Sequence, residues 1–239
     1  MVPSVDKLKV KIFADGADLA PTAQMVKNPL IAGFTTNPTL MSKAGHKDYR
    51  HFSKEFLKIV PTHPVSFEVL SDDFADMERQ AREIASWGNN VYVKIPVTNT
   101  RGEHATDLIH RLSHAGVKVN VTALMTVEQV QEVSDALGNE TPSNISVFAG
   151  RIADTGRDPM PIMRETVKIL ARHPKQELIW ASPRELLNVF QADDIGCHII
   201  TATHDILKKL SLVGKDLNQY SLETVKMFDN DARTAGLTL

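Results

Sequence analysis

The sequence predicts an α/β protein, a (β/α)8 TIM barrel with an extra C-terminal helix. Eight short runs of β-branched and apolar residues recur along the 239 residues, and stretches with helical spacing separate them. Strands that alternate with helices are typical of a parallel sheet, and eight repeats in this length favour a closed barrel over an open sheet. No linker composition divides the chain, so we expect one domain over residues 1–239.

The apolar runs predict eight strands, in chain order: Val10–Ala14, Leu30–Phe34, Val65–Val69, Val91–Val97, Val117–Val121, Ile145–Ala149, Glu177–Ala181 and His198–Thr201. Helical spacing predicts the helices between them: Tyr49–Ile59, Phe74–Trp87, Ala105–His114, Val127–Leu137, Met160–Ala171 and Glu185–Phe190.

A further helix is expected after the eighth unit, over Ser221–Gly236. Its spacing places four apolar residues on one face: Leu222, Val225, Phe228 and Ala232. Residues 219–239 are therefore expected to form a helical arm. The arm either packs on its own barrel or reaches a neighbouring subunit.

The composition excludes several classes of function. Apolar residues make up 42% of the chain, enough for a sizeable core, and the net charge of −2 argues against a nucleic-acid partner. An anionic substrate would have to be held by a few local Arg or Lys side chains. The first eleven residues show no secretory pattern and no long apolar run follows, so we expect a cytoplasmic protein that does not enter membranes.

The motifs of cofactor and metal sites are missing from the sequence. The nine histidines have no paired ligand spacing, and no glycine-rich nucleotide loop occurs, so we expect neither a metal nor a cofactor. Cys197 is the only cysteine, which excludes an internal disulfide and favours a packing role.

Polar residues cluster where the predicted strands end, which is where barrels of this kind place their active sites. Those that we single out are Asp15, Thr35, Thr36, Asn37, Glu68, Lys94, Asn120, Thr122, Ser146, Arg151, Ser182, Arg184, Thr201 and Thr203. Because side chains alternate along a strand, Asn120 and Thr122 share one face, as do Ser146 and Phe148.

Lys94 gives the sharpest signal, because it is the one charged residue in the apolar run Val91–Val97. A strand lysine is paired, points outward, or is kept partly neutral. Burial among apolar groups lowers the pKa of an amine, and only a neutral amine attacks a carbonyl. Lys94 is therefore a candidate nucleophile, although a lysine that snorkels from a strand end is the plainer alternative.

The charged neighbours of Lys94 suggest two further roles. Asp15 and Glu68 could act as general acid–base groups, or as a helix cap and an ion-pair partner. Arg151 and Arg184 each follow a predicted strand and could form a phosphate clamp, or be ordinary surface or ion-paired arginines.

Five ordered motifs resemble those of the transaldolase family. Gly33–Thr39 reads Gly-Phe-Thr-Thr-Asn-Pro-Thr, and Val93–Thr98 reads Val-Lys-Ile-Pro-Val-Thr, like the segment that carries the family's Schiff-base lysine. The other three are Asn120-x-Thr122, Ser146-x-Phe148-x-Gly150-Arg151-Ile152-x-Asp154 and Ala181-Ser182-x-Arg184. The resemblance runs from about Phe13 to the carboxyl end.

The resemblance implies a role for each of these residues. Lys94 would form the Schiff base, Asp15 would transfer the proton for bond cleavage, and Glu68 and Thr122 would position a water. The substrate would be bound by the remaining residues: Thr35, Asn37, Asn120, Ser146, Phe148, Arg151, Ser182 and Arg184. The implied reaction moves a dihydroxyacetone unit from fructose 6-phosphate or sedoheptulose 7-phosphate to erythrose 4-phosphate or glyceraldehyde 3-phosphate. Pentose-phosphate metabolism and a homo-oligomer, a pentamer or decamer, are implied as well.

Departures from the family pattern leave alternatives open. Ala123–Gln129 and Pro183 differ from the usual residues near the barrel mouth, so the sugar could be a specialised biosynthetic one. A related aldolase that releases dihydroxyacetone and a silent sugar-phosphate-binding barrel are the other candidates. Phe148 and Glu68 favour transfer, because fructose-6-phosphate aldolases carry Tyr and Gln at the matching positions.

Overall fold

Eight parallel strands pair in the order of the chain, and the eighth pairs with the first, so the barrel closes. The structure is a computed structural model that describes residues 4–238. The strands are β1 (Lys11–Asp15), β2 (Ile31–Thr35), β3 (Val65–Glu68), β4 (Val91–Pro96), β5 (Val119–Leu124), β6 (Ser143–Val147), β7 (Gln176–Trp180) and β8 (Ile199–Thr203). The predicted (β/α)8 barrel with a C-terminal helix is confirmed.

Helices alternate with the strands and cover the outside of the barrel. In the described part of the chain they are α1 (Leu19–Met25), α2 (Pro38–Lys43), α3 (Tyr49–Ile59), α4 (Phe74–Ala85), α5 (Thr106–His114), α6 (Val127–Ala136), α7 (Ala149–Asp154), α8 (Met160–Leu170), α9 (Leu187–Asp194), α10 (His204–Leu207) and α11 (Leu217–Thr234). Short 3-10 helices lie at Val5–Lys7 and Lys208–Leu212. Side-chain caps start α3 at Asp48 and α4 at Asp73.

The main core lies between the strands and the helices. Phe34 of β2, Phe56 of α3 and Phe67 of β3 are buried and meet edge to face, with ring centroids 5.9 to 6.0 Å apart. A smaller apolar cluster contains Phe13, Ile179, Ala181 and Ile199. Alternation places this second cluster inside the barrel, beneath the polar residues at the strand ends.

Gly33 makes room for the inner cluster. A Cβ at this position would lie 2.5 Å from the ring of Phe13, which is closer than packed carbon atoms approach. The glycine therefore lets an aromatic ring fill the barrel beneath the site.

Most strand boundaries differ from those predicted by one to three residues, and two of these differences have a cause in the backbone. The predicted strand at Val117 begins later, at Val119, because Gly116 turns with φ of 82° and the Val117 N–H donates back to the Leu112 carbonyl of the preceding helix. The sixth strand ends at Val147 instead of Ala149, because the Phe148 carbonyl already accepts the N–H groups of Arg151 and Ile152 in α7.

Helix α11 spans Leu217–Thr234 and contains the predicted Ser221–Gly236 segment except for its last two residues. None of its residues is buried, and Leu222, Val225 and Phe228 are 47 to 62% exposed. The alternative in which this helix packs its apolar face on its own barrel is therefore wrong. Residues 1–3 of the predicted domain and residue 239 of the predicted arm lie outside the described residues.

Cys197 is buried and bonds through its Sγ to the carbonyls of Leu178 and Ile199. Burial raises the pKa of the Cys197 thiol to about 12, which suits a packing role. Across residues 4–238, we find no helix with the length and apolar character needed to cross a membrane.

Candidate active site

The carboxyl ends of the strands surround a cavity of about 360 Å³. Its size falls within the range of small-molecule sites. Eleven of the twelve predicted site residues line it: Asp15, Thr35, Asn37, Glu68, Lys94, Asn120, Thr122, Ser146, Phe148, Arg151 and Ser182. The twelfth, Arg184, is not among the lining residues.

Lys94 lies on β4 between the fully buried Val93 and Ile95, and it is only 8% exposed. Its Nζ donates to the Thr36 carbonyl at 2.8 Å and lies 3.2 Å from a carboxylate oxygen of Glu68. These two partners offset the cost of taking an ammonium group out of water. The alternative of a lysine that snorkels from a strand end is wrong, because the amine points into the cavity.

Asp15 ends β1 and faces the same cavity. Its carboxylate accepts the Thr35 hydroxyl at 2.8 Å and the Asn37 amide at 3.5 Å. Burial raises the pKa of Asp15, and the positive charge of Lys94 offsets part of this effect. The cap residue of α1 is Asp18, so Asp15 does not start that helix.

Asn120 is held between two hydroxyl groups in the barrel interior. Its amide donates to Ser66 Oγ at 3.0 Å, and its oxygen accepts the Ser146 hydroxyl at 2.7 Å. These bonds fix which way the amide faces. Thr122 lies two residues further along β5 on the same face, and its hydroxyl donates to the Ile95 carbonyl at 3.5 Å.

The two arginines behave differently. Arg151 lines the cavity, as does Ser182, whose φ is 56°. Arg184 instead donates through Nε to Asp154 at 2.9 Å. The two segments come close because Gly150 has no side chain: a Cβ there would lie 1.5 Å from the Ser182 carbonyl oxygen.

The site thus combines a buried amine, two carboxylates, several hydroxyl and amide groups, and the guanidinium group of Arg151. Among residues 4–238, no group of three His, Cys, Asp or Glu side chains is placed to hold a metal ion.

Comparison with known proteins decides the family. Residues 12–239 match the family model described as Transaldolase/Fructose-6-phosphate aldolase. The chain belongs to this family. The expected resemblance is therefore confirmed.

Curated members of the transaldolase/fructose-6-phosphate aldolase family cover nearly the whole chain. A probable transaldolase of Dehalococcoides mccartyi is 34% identical over 84% of this chain and 90% of its own length. One from Thermoanaerobacter sp. is 34% identical over 96% of this chain and 100% of its own length. Among solved structures, KGPDC from Streptococcus mutans matches with a TM-score of 0.59 at 10% identity, covering 87% of this chain and 95% of that one. At that identity the likeness shows the fold alone.

Three contacts of this family member were missed at the sequence level. Ser66 was not named, and Thr36 and Thr201 were named at the strand ends without a role. Ser66 and Thr36 hold Asn120 and Lys94, and Thr201 lines the cavity and bonds to Thr35 at 2.6 Å. Ser66 stands two residues before Glu68 on β3, so strand alternation could have placed it inward. The Thr36 contact is made by its backbone carbonyl, which leaves no mark on residue type.

Proposed function

We propose that this chain is a transaldolase that works through a Schiff base on Lys94. The donor is a ketose phosphate, fructose 6-phosphate or sedoheptulose 7-phosphate, and the acceptor is an aldose phosphate, erythrose 4-phosphate or glyceraldehyde 3-phosphate. The observation that carries the proposal is the amine of Lys94, buried in an apolar strand and turned into a cavity with a carboxylate 3.2 Å away.

Imine formation is the first chemical step. The neutral amine of Lys94 attacks the C2 carbonyl of the donor, and loss of water from the resulting carbinolamine gives a protonated imine. Protons must leave the nitrogen and reach the departing oxygen. Glu68, beside Nζ, and the Thr122 hydroxyl, on the same cavity wall, are placed to handle these protons through a water.

Carbon–carbon cleavage follows from the imine. Asp15 takes the proton of the C4 hydroxyl, the C3–C4 bond breaks, and its electron pair moves into the protonated imine. An aldose phosphate leaves and a three-carbon enamine stays on Lys94. The raised pKa of Asp15, caused by burial, supports its use as a group that takes this proton and later returns it.

Transfer is the reverse sequence with a new aldehyde. The enamine carbon attacks the acceptor carbonyl, Asp15 returns its proton to the carbonyl oxygen so that a hydroxyl forms, and water hydrolyses the imine. Asn37, Asn120 and Ser146 lie along the cavity wall and would hold the hydroxyl groups of the dihydroxyacetone part.

Binding of the phosphate group is assigned to the mouth of the cavity. Arg151 and Ser182 line it there, and a guanidinium with a hydroxyl suits a phosphate dianion. Arg184 belongs to the proposed clamp by resemblance, and its pairing with Asp154 would have to be shared or broken.

The test combines covalent trapping with an acceptor assay. Borohydride added with fructose 6-phosphate or dihydroxyacetone should add mass to the peptide that contains Lys94. Lys94→Ala should abolish this label, while Lys209→Ala, which alters an exposed lysine outside the cavity, should keep it. A label on any other lysine would exclude the mechanism. Product formation from fructose 6-phosphate should depend on erythrose 4-phosphate, whereas equal release of dihydroxyacetone without it would identify an aldolase.

A further inference from the structure

The amide of Glu68 departs from the hydrogen-bond pattern between β2 and β3. The Thr36 N–H donates to the Ser66 carbonyl at 3.2 Å. Bonds in a parallel pair are evenly spaced, so the next one along would join the Glu68 N–H to the Thr36 carbonyl. Instead, the Glu68 N–H donates to the hydroxyl oxygen of Tyr49 at 2.6 Å.

The Thr36 carbonyl, which does not receive the Glu68 N–H, has a different partner. It accepts the Nζ of Lys94 at 2.8 Å. Strand β2 ends at Thr35 and α2 begins at Pro38, so Thr36 lies where the chain leaves the sheet. One hydrogen bond of the sheet is thus replaced by two bonds, one to a phenol and one from the buried amine.

The Tyr49 side chain that accepts the Glu68 amide is held in place by its surroundings. It is the first residue of α3, whose start is capped by Asp48. Its ring packs against Phe67 at 6.4 Å and Trp87 at 6.2 Å between centroids. Burial raises the pKa of the Tyr49 phenol, so the hydroxyl stays neutral and its oxygen remains available to accept the amide.

We propose that Tyr49 is a positioning residue for the Schiff-base lysine. By taking the Glu68 amide, its hydroxyl frees the Thr36 carbonyl to hold the amine of Lys94 beside the Glu68 carboxylate. Tyr49 does not line the catalytic cavity, so it acts through these neighbours and not on the substrate. This inference rests on the proposed Schiff-base function of Lys94.

Removal of the hydroxyl has a defined consequence. In Tyr49→Phe the Glu68 amide loses its acceptor, and the nearest replacement in the sheet pattern is the Thr36 carbonyl. The amide then competes with Lys94 for that oxygen, and the amine loses its fixed place. We expect the rate of imine formation with dihydroxyacetone to fall roughly tenfold, as for the loss of a hydrogen bond with a buried partner.

The experiment follows borohydride trapping of dihydroxyacetone over time. Tyr49→Phe should still reach one adduct per subunit on Lys94, but more slowly. A purely structural role would lower the final number of adducts and leave the rate of the folded fraction unchanged. Tyr92→Phe is the matched control, because Tyr92 is also half-buried and its hydroxyl makes no hydrogen bond within residues 4–238. It should trap at the wild-type rate.

A graded substitution covers the case in which Tyr49→Phe does not fold. 3-Fluorotyrosine at position 49 keeps the ring and the hydroxyl but makes the oxygen a weaker acceptor, so its trapping rate should fall between those of wild type and Tyr49→Phe. Wild-type rates in both variants would overturn the role of Tyr49 and leave the Schiff base intact. Absence of a Lys94 adduct in the wild-type protein would instead overturn the proposed function.

Discussion

Arg184 is bound to Asp154 through both its Nε and a terminal nitrogen, whereas Arg151, on the same helix as Asp154, lines the cavity at the strand ends. The ion pair is about half exposed, so its contribution to stability is small. We propose that it matters more for function, because it holds one of the two predicted phosphate ligands outside the cavity. The two arginines are therefore not equivalent before substrate binds.

We predict that Arg151→Ala weakens the binding of phosphorylated substrates more than Arg184→Ala does. A charge-assisted hydrogen bond contributes about 1.5–3 kcal/mol, so loss of Arg151 should lower kcat/KM for glyceraldehyde 3-phosphate by roughly ten- to hundredfold. The effect on unphosphorylated glyceraldehyde should be small. The ratio of kcat/KM for the two acceptors is the measurement.

Asp154→Asn tests the restraint on Arg184. The substitution removes the carboxylate charge and leaves a side chain of similar size, so Arg184 becomes freer to turn toward a phosphate. The kcat/KM for glyceraldehyde 3-phosphate divided by that for unphosphorylated glyceraldehyde should rise in this variant. The ratio should return to the wild-type value or below when Asp154→Asn is combined with Arg184→Ala. If Arg151→Ala and Arg184→Ala both keep the wild-type ratio, the phosphate binds elsewhere.

Asp15→Asn should separate imine formation from bond cleavage. Asparagine cannot take the C4 hydroxyl proton, so cleavage of fructose 6-phosphate should fall below detection. Trapping of dihydroxyacetone on Lys94 should persist, because that step does not use Asp15. Loss of both activities in a folded variant would contradict the division of roles.

The same variant makes a prediction about stability and pH. The pKa of Asp15 is raised by burial in the folded protein, so the folded state binds more protons than the unfolded chain between the ordinary pKa and the raised one. The free energy of unfolding of the wild type therefore falls as pH rises through this window. Asp15→Asn has no carboxyl group at this position, so its free energy of unfolding does not fall in this way. Its Tm should therefore exceed the wild-type Tm by a few degrees at pH 7.5. The difference should shrink as the pH is lowered.

Asp6→Asn is the control for this effect. Asp6 is exposed in the 3-10 helix near the amino end, so its removal changes the net charge by the same amount without removing a buried carboxyl. Its Tm should follow that of the wild type at both ends of the pH range. A Tm of Asp15→Asn at or below the wild-type value at pH 7.5 would argue against the raised pKa.

The fold was predictable because strand and helix patterns act locally and agree along the chain. All eight strands fall on the predicted apolar runs, and Tyr49–Ile59 matches its helix residue for residue. Most of the predicted strand boundaries were wrong by one to three residues, and two of these errors depend on backbone bonds. The N–H of Val117 turns back to Leu112, and no hydrophobic pattern records such a turn.

The candidate site was predictable where side chains carry the chemistry. Lys94, Asp15 and Glu68 stand out as charged groups at strand ends, and alternation explains why they meet. The partner of Arg184 was not predictable, because Asp154 lies on α7 and its contact with Arg184 depends on how closely Gly150 lets the two segments approach.

The exposed apolar face of α11 predicts assembly of several subunits. Leu222, Val225 and Phe228 are exposed within one chain, and burial of such residues against another copy would remove apolar surface from water. We propose a homo-oligomer, a pentamer or decamer by resemblance, in which this helix contacts a neighbour. Light scattering should give a multiple of the 26.5 kDa subunit mass.

A pair of variants tests the role of this face. Phe228→Asp places a charge on the apolar face and should shift the mass toward smaller species. Asn230→Asp adds the same charge at a polar position two residues on and should keep the wild-type mass. A monomer mass for the wild-type protein would refute the assembly.

We propose that Phe148 separates transfer from simple aldol cleavage. It lines the cavity with Lys94, packs against the inner apolar cluster and has no proton to give. The enamine left on Lys94 after cleavage must keep its carbon unprotonated until an acceptor aldehyde arrives. A hydroxyl at position 148 would offer a proton source near that carbon and would favour early release of dihydroxyacetone.

Phe148→Tyr should therefore raise the release of dihydroxyacetone from fructose 6-phosphate when no acceptor is present. We expect an increase of about a hundredfold, the lower end of what a positioned proton donor contributes, with little change in transfer to erythrose 4-phosphate. Phe148→Leu is the matched control, because it alters the cavity wall without adding a hydroxyl and should leave the release slow. If the tyrosine and leucine variants release dihydroxyacetone equally fast, the faster release comes from altered packing. Phe148 then does not act by keeping a proton donor away from the enamine. A wild-type protein that releases dihydroxyacetone as fast as it transfers the unit would be an aldolase. In that case Phe148 would not determine which of the two reactions occurs.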